Sequence, residues 1–139
     1  MSKINIEYLE KCINTFEKSY NILQTVSEDD DFYELYRNSL VKSFELTLEQ
    51  SGKLLKKAIT PYFASKKQVD QLNFKDIFRH AHKHGLLTLE EAERWLIYRD
   101  NRNTTAHDYG EEFAEQTVTI SADMIKDAKN LIKVIIEEK

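Results

Sequence analysis

Residues 88–107, TLEEAERWLIYRDNRNTTAH, contain the pattern that decides the fold. Thr88 with Glu91 three positions later is typical of a capping box at a helix N-terminus. Apolar side chains then recur at helical spacing: Ala92, Trp95 and Leu96. The stretch therefore predicts an amphipathic helix that ends near His107.

The rest of the chain repeats this helical period on both sides. Four more helices are predicted, over residues 4–25, 31–59 and 74–84 and from Ser121 as N-cap onward. Pro61 is expected to end the second helix, and Gly85 to cap the third. Residues 116–120 are only a weak strand candidate. The sequence predicts an all-α, up-and-down bundle of about five helices.

Length and composition agree with one helical domain over residues 1–139. The chain is 41% hydrophobic, enough for one modest core, and three Gly with one Pro disfavour a turn-rich β fold. The single cysteine, Cys12, excludes an intramolecular disulfide, and no CxxC pair suggests a zinc site. Because no signal peptide or long apolar run is present, we expect a soluble, cytoplasmic protein without a membrane segment.

Charge is distributed unevenly along the chain, whose net charge is −4. Residues 53–107 contain seven Lys and four Arg against six acidic residues, whereas the remainder is strongly acidic. The total does not favour nucleic-acid binding, although the middle third can present a basic surface. Solvated helix faces are the more ordinary explanation of the same pattern.

The buried face of the 88–107 helix changes character towards its C-terminus. On a helical wheel, Arg99, Arg102 and Asn103 continue the face that begins with Trp95. An inward arginine is costly unless it has a partner or borders a cleft, so the change indicates a functional site.

His107 lies on the flank of this face, and the residue types fit RNA cleavage by 2′-hydroxyl attack. Histidine suits proton transfer, arginine binds phosphoryl oxygens, and the reaction needs no metal or other cofactor. One chain supplies one histidine in this segment, whereas acid and base are two roles, and a two-fold dimer would bring two histidines. On spacing alone, pairing of Arg102 and His107 with carboxylates inside the bundle is slightly favoured, because an arginine and a histidine near each other are common.

Three blocks of the sequence resemble HEPN-domain proteins. Residues 102–109, RNTTAHDY, resemble the R-N-x-x-x-H-x-Y signature. Residues 44–53 are similar to the F-E-x-T-x-E-x-x-x-K pattern of small HEPN proteins known as nucleotidyltransferase substrate-binding proteins, and residues 74–87 to their R-x-A-x-x-x-G-L block. The chain departs from this pattern at Gly52, where relatives often carry a large aromatic residue.

The resemblance implies a homodimeric, metal-independent ribonuclease toxin that is paired with a minimal nucleotidyltransferase antitoxin. Arg102 and His107 would be catalytic and Asn103 would support them. The partner would neutralise the toxin by transferring AMP to Tyr109. An alternative for the same family is a non-catalytic subunit that binds substrate for the nucleotidyltransferase.

Other polar residues have structural as well as functional interpretations. Glu45 is expected to hold an inward arginine such as Arg99 or Arg102, and Glu49 to pair with Lys53. Among His80, His82 and His84, only the first and last have metal-ligand spacing, so surface histidines are favoured and no metal site is predicted. Two nearby cations are candidate RNA-phosphate contacts: Arg79 and Lys83.

Overall fold

The computed structural model describes residues 4–105 and 111–137, with the backbone alone at residues 102–105 and 111. The described chain contains six α-helices and a short 3-10 turn, Thr60–Tyr62. The helices are α1 (Glu7–Thr25), α2 (Tyr33–Ile59), α3 (Lys66–Asp70), α4 (Phe74–Lys83), α5 (Leu89–Thr105) and α6 (Glu111–Glu137). No strand occurs within these ranges, and the all-α class is confirmed.

Three long helices form the centre of the bundle. α2 packs against both α1 and α6, and α1 also contacts α6. The shorter α4 lies between α2 and α5, and α5 in turn packs on α6. In the described part of the chain, no helix is both long and apolar enough to cross a membrane.

The core is built from the side chains that the helical period singles out. α2 contributes five completely buried apolar residues: Leu40, Phe44, Leu48, Leu55 and Ile59. α1 and α6 add two further lines: Leu9, Ile13, Phe16 and Leu23, and Ile125, Ala128, Leu131 and Ile135. Burial of each large apolar side chain contributes roughly 1.5–3 kcal/mol, which makes this core the main stabilising term.

The last helix begins well before the predicted N-cap at Ser121. α6 starts at Glu111 and includes residues 116–120, so the predicted start was wrong and the weak strand candidate is helical. Ser121 Oγ donates a hydrogen bond to the Thr117 carbonyl oxygen at 2.6 Å, as Thr117 Oγ1 does to the Phe113 carbonyl oxygen at 3.2 Å. Both residues are completely buried. Serine and threonine often cap helices, but here both hydroxyls lie inside a helix and form their hydrogen bonds with its backbone.

The connection between α2 and α4 is more ordered than its polar composition suggests. α2 ends at Ile59 and Pro61 lies in the following 3-10 turn, as expected. The short α3 was not predicted; Ser65 caps it by accepting a hydrogen bond from Gln68 N at 3.3 Å. Val69 anchors this helix, since it is only 1% exposed.

Gly52 lies where the ring of Phe74 approaches α2 closely. A Cβ atom at Gly52 would come within 2.7 Å of Phe74 Cε2, which is closer than real contacts allow. Phe74 therefore fills the space into which a side chain at position 52 would project. This contact explains why the chain has glycine inside a helix.

Replacing Gly52 by alanine is expected to lower the free energy of unfolding by about 1–2 kcal/mol, because overpacking outweighs the gain in helix propensity. Chemical denaturation followed by circular dichroism measures the change. In a Phe74→Leu background the same replacement should be neutral or stabilising. A stabilising effect of Gly52→Ala in the otherwise unchanged chain would contradict the close packing.

Candidate functional site

Two turn motifs fix the direction in which α5 leaves α4. Gly85 has a φ of +79°, and Leu86 N donates to the Ala81 carbonyl oxygen at 2.9 Å, as in a Schellman motif. Thr88 and Glu91 form the predicted capping box: Thr88 Oγ1 accepts from Glu91 N at 3.1 Å, and Glu91 Oε1 accepts from Thr88 N at 2.8 Å. The start of α5 is therefore fixed by local hydrogen bonds.

Trp95 anchors the apolar face of α5. It is 1% exposed, and its ring lies 5.0 Å from that of Phe78 in a nearly parallel stack. Tyr98 packs edge-on to the same indole at 5.4 Å. The face predicted from Trp95 is thus buried, and its aromatic contacts fix α5 against α4.

A partly buried polar cluster fixes α5 against α6. Arg94 donates from Nε and Nη2 to the two carboxylate oxygens of Asp127, both at 2.8 Å. The Tyr98 hydroxyl donates to Asp127 Oδ2 at 2.6 Å. The Asp127 residue is 6% exposed, so these bonds replace the lost hydration of its carboxylate. Burial, with the hydrogen bond to Asp127, raises the pKa of Tyr98 well above its usual range.

This cluster was not predicted, although the sequence contains a signal for it. Asp127 lies on the apolar face of α6, between Ile125 and Ala128. A carboxylate in such a position requires a buried cation or hydroxyl partner. Arg94 and Tyr98, four positions apart on α5, are able to supply both.

The raised pKa of Tyr98 predicts a loss of stability in alkaline solution. An unfolded tyrosine releases its proton near pH 10, whereas the buried hydroxyl keeps it. Stability from this group is thus complete below about pH 10 and falls by up to about 1.4 kcal/mol per pH unit above it. Tyr98→Phe should make stability depend less steeply on pH above about pH 10. Burial also raises the pKa of Tyr33, but Tyr33 is present in both proteins, so its contribution cancels in the comparison. An unchanged slope between about pH 10 and 11 would contradict this assignment.

Arg99 is half-buried on α5, as its position on the helical wheel predicted. Its guanidinium lies over the ring of Phe74, 5.3 Å from the centroid. It does not pair with Glu45, which is half-buried on α2, so this version of the expected ion pair was wrong. An aromatic face takes the place of the carboxylate, because α4 packs on both α2 and α5 and its Phe74 ring lies under the Arg99 guanidinium.

Of the signature stretch, residues 102–109, the structure describes only the backbone of residues 102–105. Arg102 and Asn103 lie on the backbone of α5, three and four residues after Arg99, but their side chains are outside the description. His107 and Tyr109 lie outside the described residues altogether. Pairing of Glu45 with Arg102 and the roles of these four residues therefore stay predictions.

Both flanks of the signature stretch are held together. Asn101 Nδ2, just before Arg102, donates to Thr117 Oγ1 on α6 at 2.9 Å. Thr117 is completely buried and lies six residues after the start of α6. Together with the Asp127 cluster, this bond fixes the register in which the chain leaves α5 and enters α6.

The remaining candidates occupy α2 and α4. Arg79 and Lys83 are exposed, with Arg79 at 3.7 Å from Asp76, so both remain accessible to solvent. The rings of His80 and His84 are nearly parallel, 6.3 Å apart, and no described group of three or more acidic, Cys or His residues is arranged to hold a metal. Glu49 and Lys53 are both exposed, and no salt bridge joins these two described side chains.

The sequence matches the profile of a family described as nucleotidyltransferase substrate binding protein like, over residues 5–136. A Haemophilus influenzae protein named "Probable ribonuclease HepT" is 27% identical over 116 residues, which cover 81% of this chain and 78% of the relative.

Three solved structures share the helical fold. A Haemophilus influenzae protein, described as a substrate binding domain of a nucleotidyltransferase, superposes with a TM-score of 0.78 at 23% identity, covering 94% of this chain and 98% of its own. A Thermus thermophilus protein gives 0.73 at 24% identity, over 91% and 98%. A chain from a toxin–antitoxin complex with AMP-PNP gives 0.65 at 17% identity, over 97% and 99%. At these identities the likeness establishes the helical fold alone.

Proposed function

This chain belongs to the nucleotidyltransferase substrate binding protein-like family, and we propose that it is the ribonuclease toxin of a toxin–antitoxin pair. One observation carries the proposal: the R-N-x-x-x-H-x-Y stretch begins on α5 and ends two residues before α6, between flanks joined by Asn101 and Thr117. The ribonuclease name of the curated relative and the toxin–antitoxin complex among the similar structures support the same function.

The proposed reaction is metal-independent cleavage of RNA by its own 2′-hydroxyl. His107 takes the hydroxyl proton as the 2′-oxygen attacks the adjacent phosphorus, and Arg102 stabilises the negative charge on the phosphoryl oxygens. The bond to the 5′-oxygen breaks, and that oxygen takes up a proton. The products carry a 2′,3′-cyclic phosphate and a 5′-hydroxyl. Asn103 supports the site.

Acid and base roles require two proton-transfer groups. A two-fold dimer with the α5 helices facing each other supplies a second His107 at the same cleft. The proposed active species is consequently a homodimer acting on RNA in the cytoplasm.

The proposed antitoxin is a minimal nucleotidyltransferase that modifies Tyr109. The tyrosine oxygen attacks the α-phosphorus of ATP, forms a phosphodiester with AMP, and releases pyrophosphate and the phenolic proton. AMP two residues from His107 places negative charge and bulk beside the phosphate-binding groups, which repels RNA.

A second function is favoured by the family description itself, in which the chain binds substrate for a nucleotidyltransferase. In that case the dimer is a docking subunit without activity of its own. It then binds the enzyme tightly even when His107 is replaced, and nucleotide transfer to another substrate depends on it.

The test is incubation of the purified chain with RNA in the presence of a chelator. Intact mass must first exclude AMP on Tyr109. Cleavage with cyclic phosphate ends is the expected result. Intact RNA after incubation with unmodified protein under varied conditions would contradict the nuclease and favour the docking subunit.

A further inference from the structure

Arg99 is a half-buried cation without an acidic partner among the described residues. Its contact is the aromatic face of Phe74, which attracts the charge but accepts no directional hydrogen bond from the five guanidinium N–H groups. A half-buried guanidinium in this state has donors to offer to an anion that arrives from solvent.

The position of this guanidinium is set by a series of close contacts. The Phe74 ring packs closely on α2, because Gly52 has no side chain there. On its own helix, the ring contacts that of Phe78, with 4.7 Å between the ring centroids. Arg99 lies on that ring. The seat, defined as Gly52, Phe74 and Phe78, therefore limits how far the arginine can move towards the core.

No neighbouring charge in the described part of the chain neutralises Arg99. The adjacent Asp100 pairs with Lys75 at 2.6 Å, and the nearby pair of Arg94 with Asp127 lies on the α6 side of the helix. Arg102 follows three positions later, so two positive residues occupy one face of α5 a single turn apart. Like charges at this spacing disfavour each other, whereas a polyanion that spans them removes the repulsion.

We infer that Arg99 is a phosphate-binding residue for single-stranded RNA, contacting a phosphate next to the one that is cleaved, with its guanidinium positioned by the Gly52–Phe74–Phe78 seat. This inference rests on the proposed ribonuclease function and specifies how that site holds its substrate. Arg99 acts on binding and placement of the strand, and not on the reacting atoms.

The first test is the kinetics of RNA cleavage by Arg99→Gln. Because the phosphate contact exists before and during the reaction, KM should rise about tenfold while kcat changes less than about threefold. Arg99→Lys should recover part of the affinity, since it keeps the charge but loses the planar fork.

The second test is the salt dependence of binding, measured by anisotropy of a labelled single-stranded RNA in a His107→Ala background that prevents cleavage. Loss of one phosphate contact should reduce the slope of log K against log salt by about 0.7. Arg99→Lys should retain the slope, because the lysine keeps the positive charge that contacts the phosphate. A purely structural role for Arg99 does not predict that the slope follows the charge at this position.

Two further variants distinguish the effect of the seat on RNA binding from general effects of charge and stability. Lys129→Gln removes one positive charge from α6, where the lysine pairs with Glu17 at 2.8 Å, and should leave KM and slope unchanged. Phe74→Leu should weaken binding in the unchanged chain and have little further effect in the Arg99→Gln background, because both act through one contact.

The outcomes distinguish the inference from the function on which it rests. Cleavage by the unchanged chain, with the same KM and salt slope for Arg99→Gln, would overturn the role of Arg99 and leave the nuclease intact. Absence of both binding and cleavage by the unchanged, unmodified chain would overturn both.

Discussion

Replacing His107 by alanine is expected to lower the rate of RNA cleavage about 10²–10⁴-fold, the usual contribution of one general acid–base group. In a two-fold site the replacement removes both histidines at once, which places the expectation at the upper end of that range. RNA affinity should change little, since the positive charges of Arg99 and Arg102 remain. The measurement is single-turnover cleavage in chelator, with wild-type and variant protein at equal concentration.

His82→Ala is the matched control for this experiment. His82 is exposed on α4, and its ring Nδ1 lies 3.1 Å from the Leu87 carbonyl oxygen. Its replacement should leave cleavage within about twofold, as expected for a residue outside the chemistry. Equal rates for wild-type and His107→Ala, with products still formed, would assign the activity to another group or to a contaminating nuclease.

The fold was largely predictable because each core helix has a strong helical period and clear end signals. Pro61, Gly85 and the Thr88 capping box all occur where the sequence places them. Ser121 was wrongly predicted to be an N-cap, because a serine that begins a helix and a serine that bonds to the preceding helical turn cannot be distinguished in sequence. Burial distinguishes the two cases, and burial depends on the tertiary partner.

The site was predictable in its residue types and less so in its contacts. Arg99 was correctly placed on the inner face of α5, but its partner is an aromatic ring that a glycine on another helix admits. Such a contact joins residues 52, 74 and 99, and no local pattern encodes it. The position of Asp127 on the apolar face of α6 indicates that it has a buried partner, but not which one, since its partners lie 29 and 33 positions away.

Replacing Asp127 by alanine is expected to lower the free energy of unfolding by about 3 kcal/mol, the lower end of the range for breaking a buried ion pair. The lower end applies because the Arg94 side chain is 39% exposed and regains water, whereas the Tyr98 hydroxyl is left buried without its partner. For a chain of this size the midpoint of thermal unfolding should fall by about 10 °C. Asp123→Ala, an exposed position one turn earlier on α6, is the matched control and should change stability by less than about 0.5 kcal/mol.

The cause of the loss can be tested through Tyr98. If the hydroxyl is stabilised by its 2.6 Å bond to Asp127, Tyr98→Phe should cost about 1.5–3 kcal/mol in the unchanged chain, as for a hydrogen bond to a charged group, and much less in the Asp127→Ala background. Additive losses would show that the two side chains contribute separately. Because the cluster fixes α5 against α6 on the approach to the signature stretch, Asp127→Ala should also reduce RNA cleavage at temperatures where the variant is still folded. Full activity under those conditions would show that the register of the two helices is set elsewhere, with the Asn101–Thr117 bond as the next contact to remove.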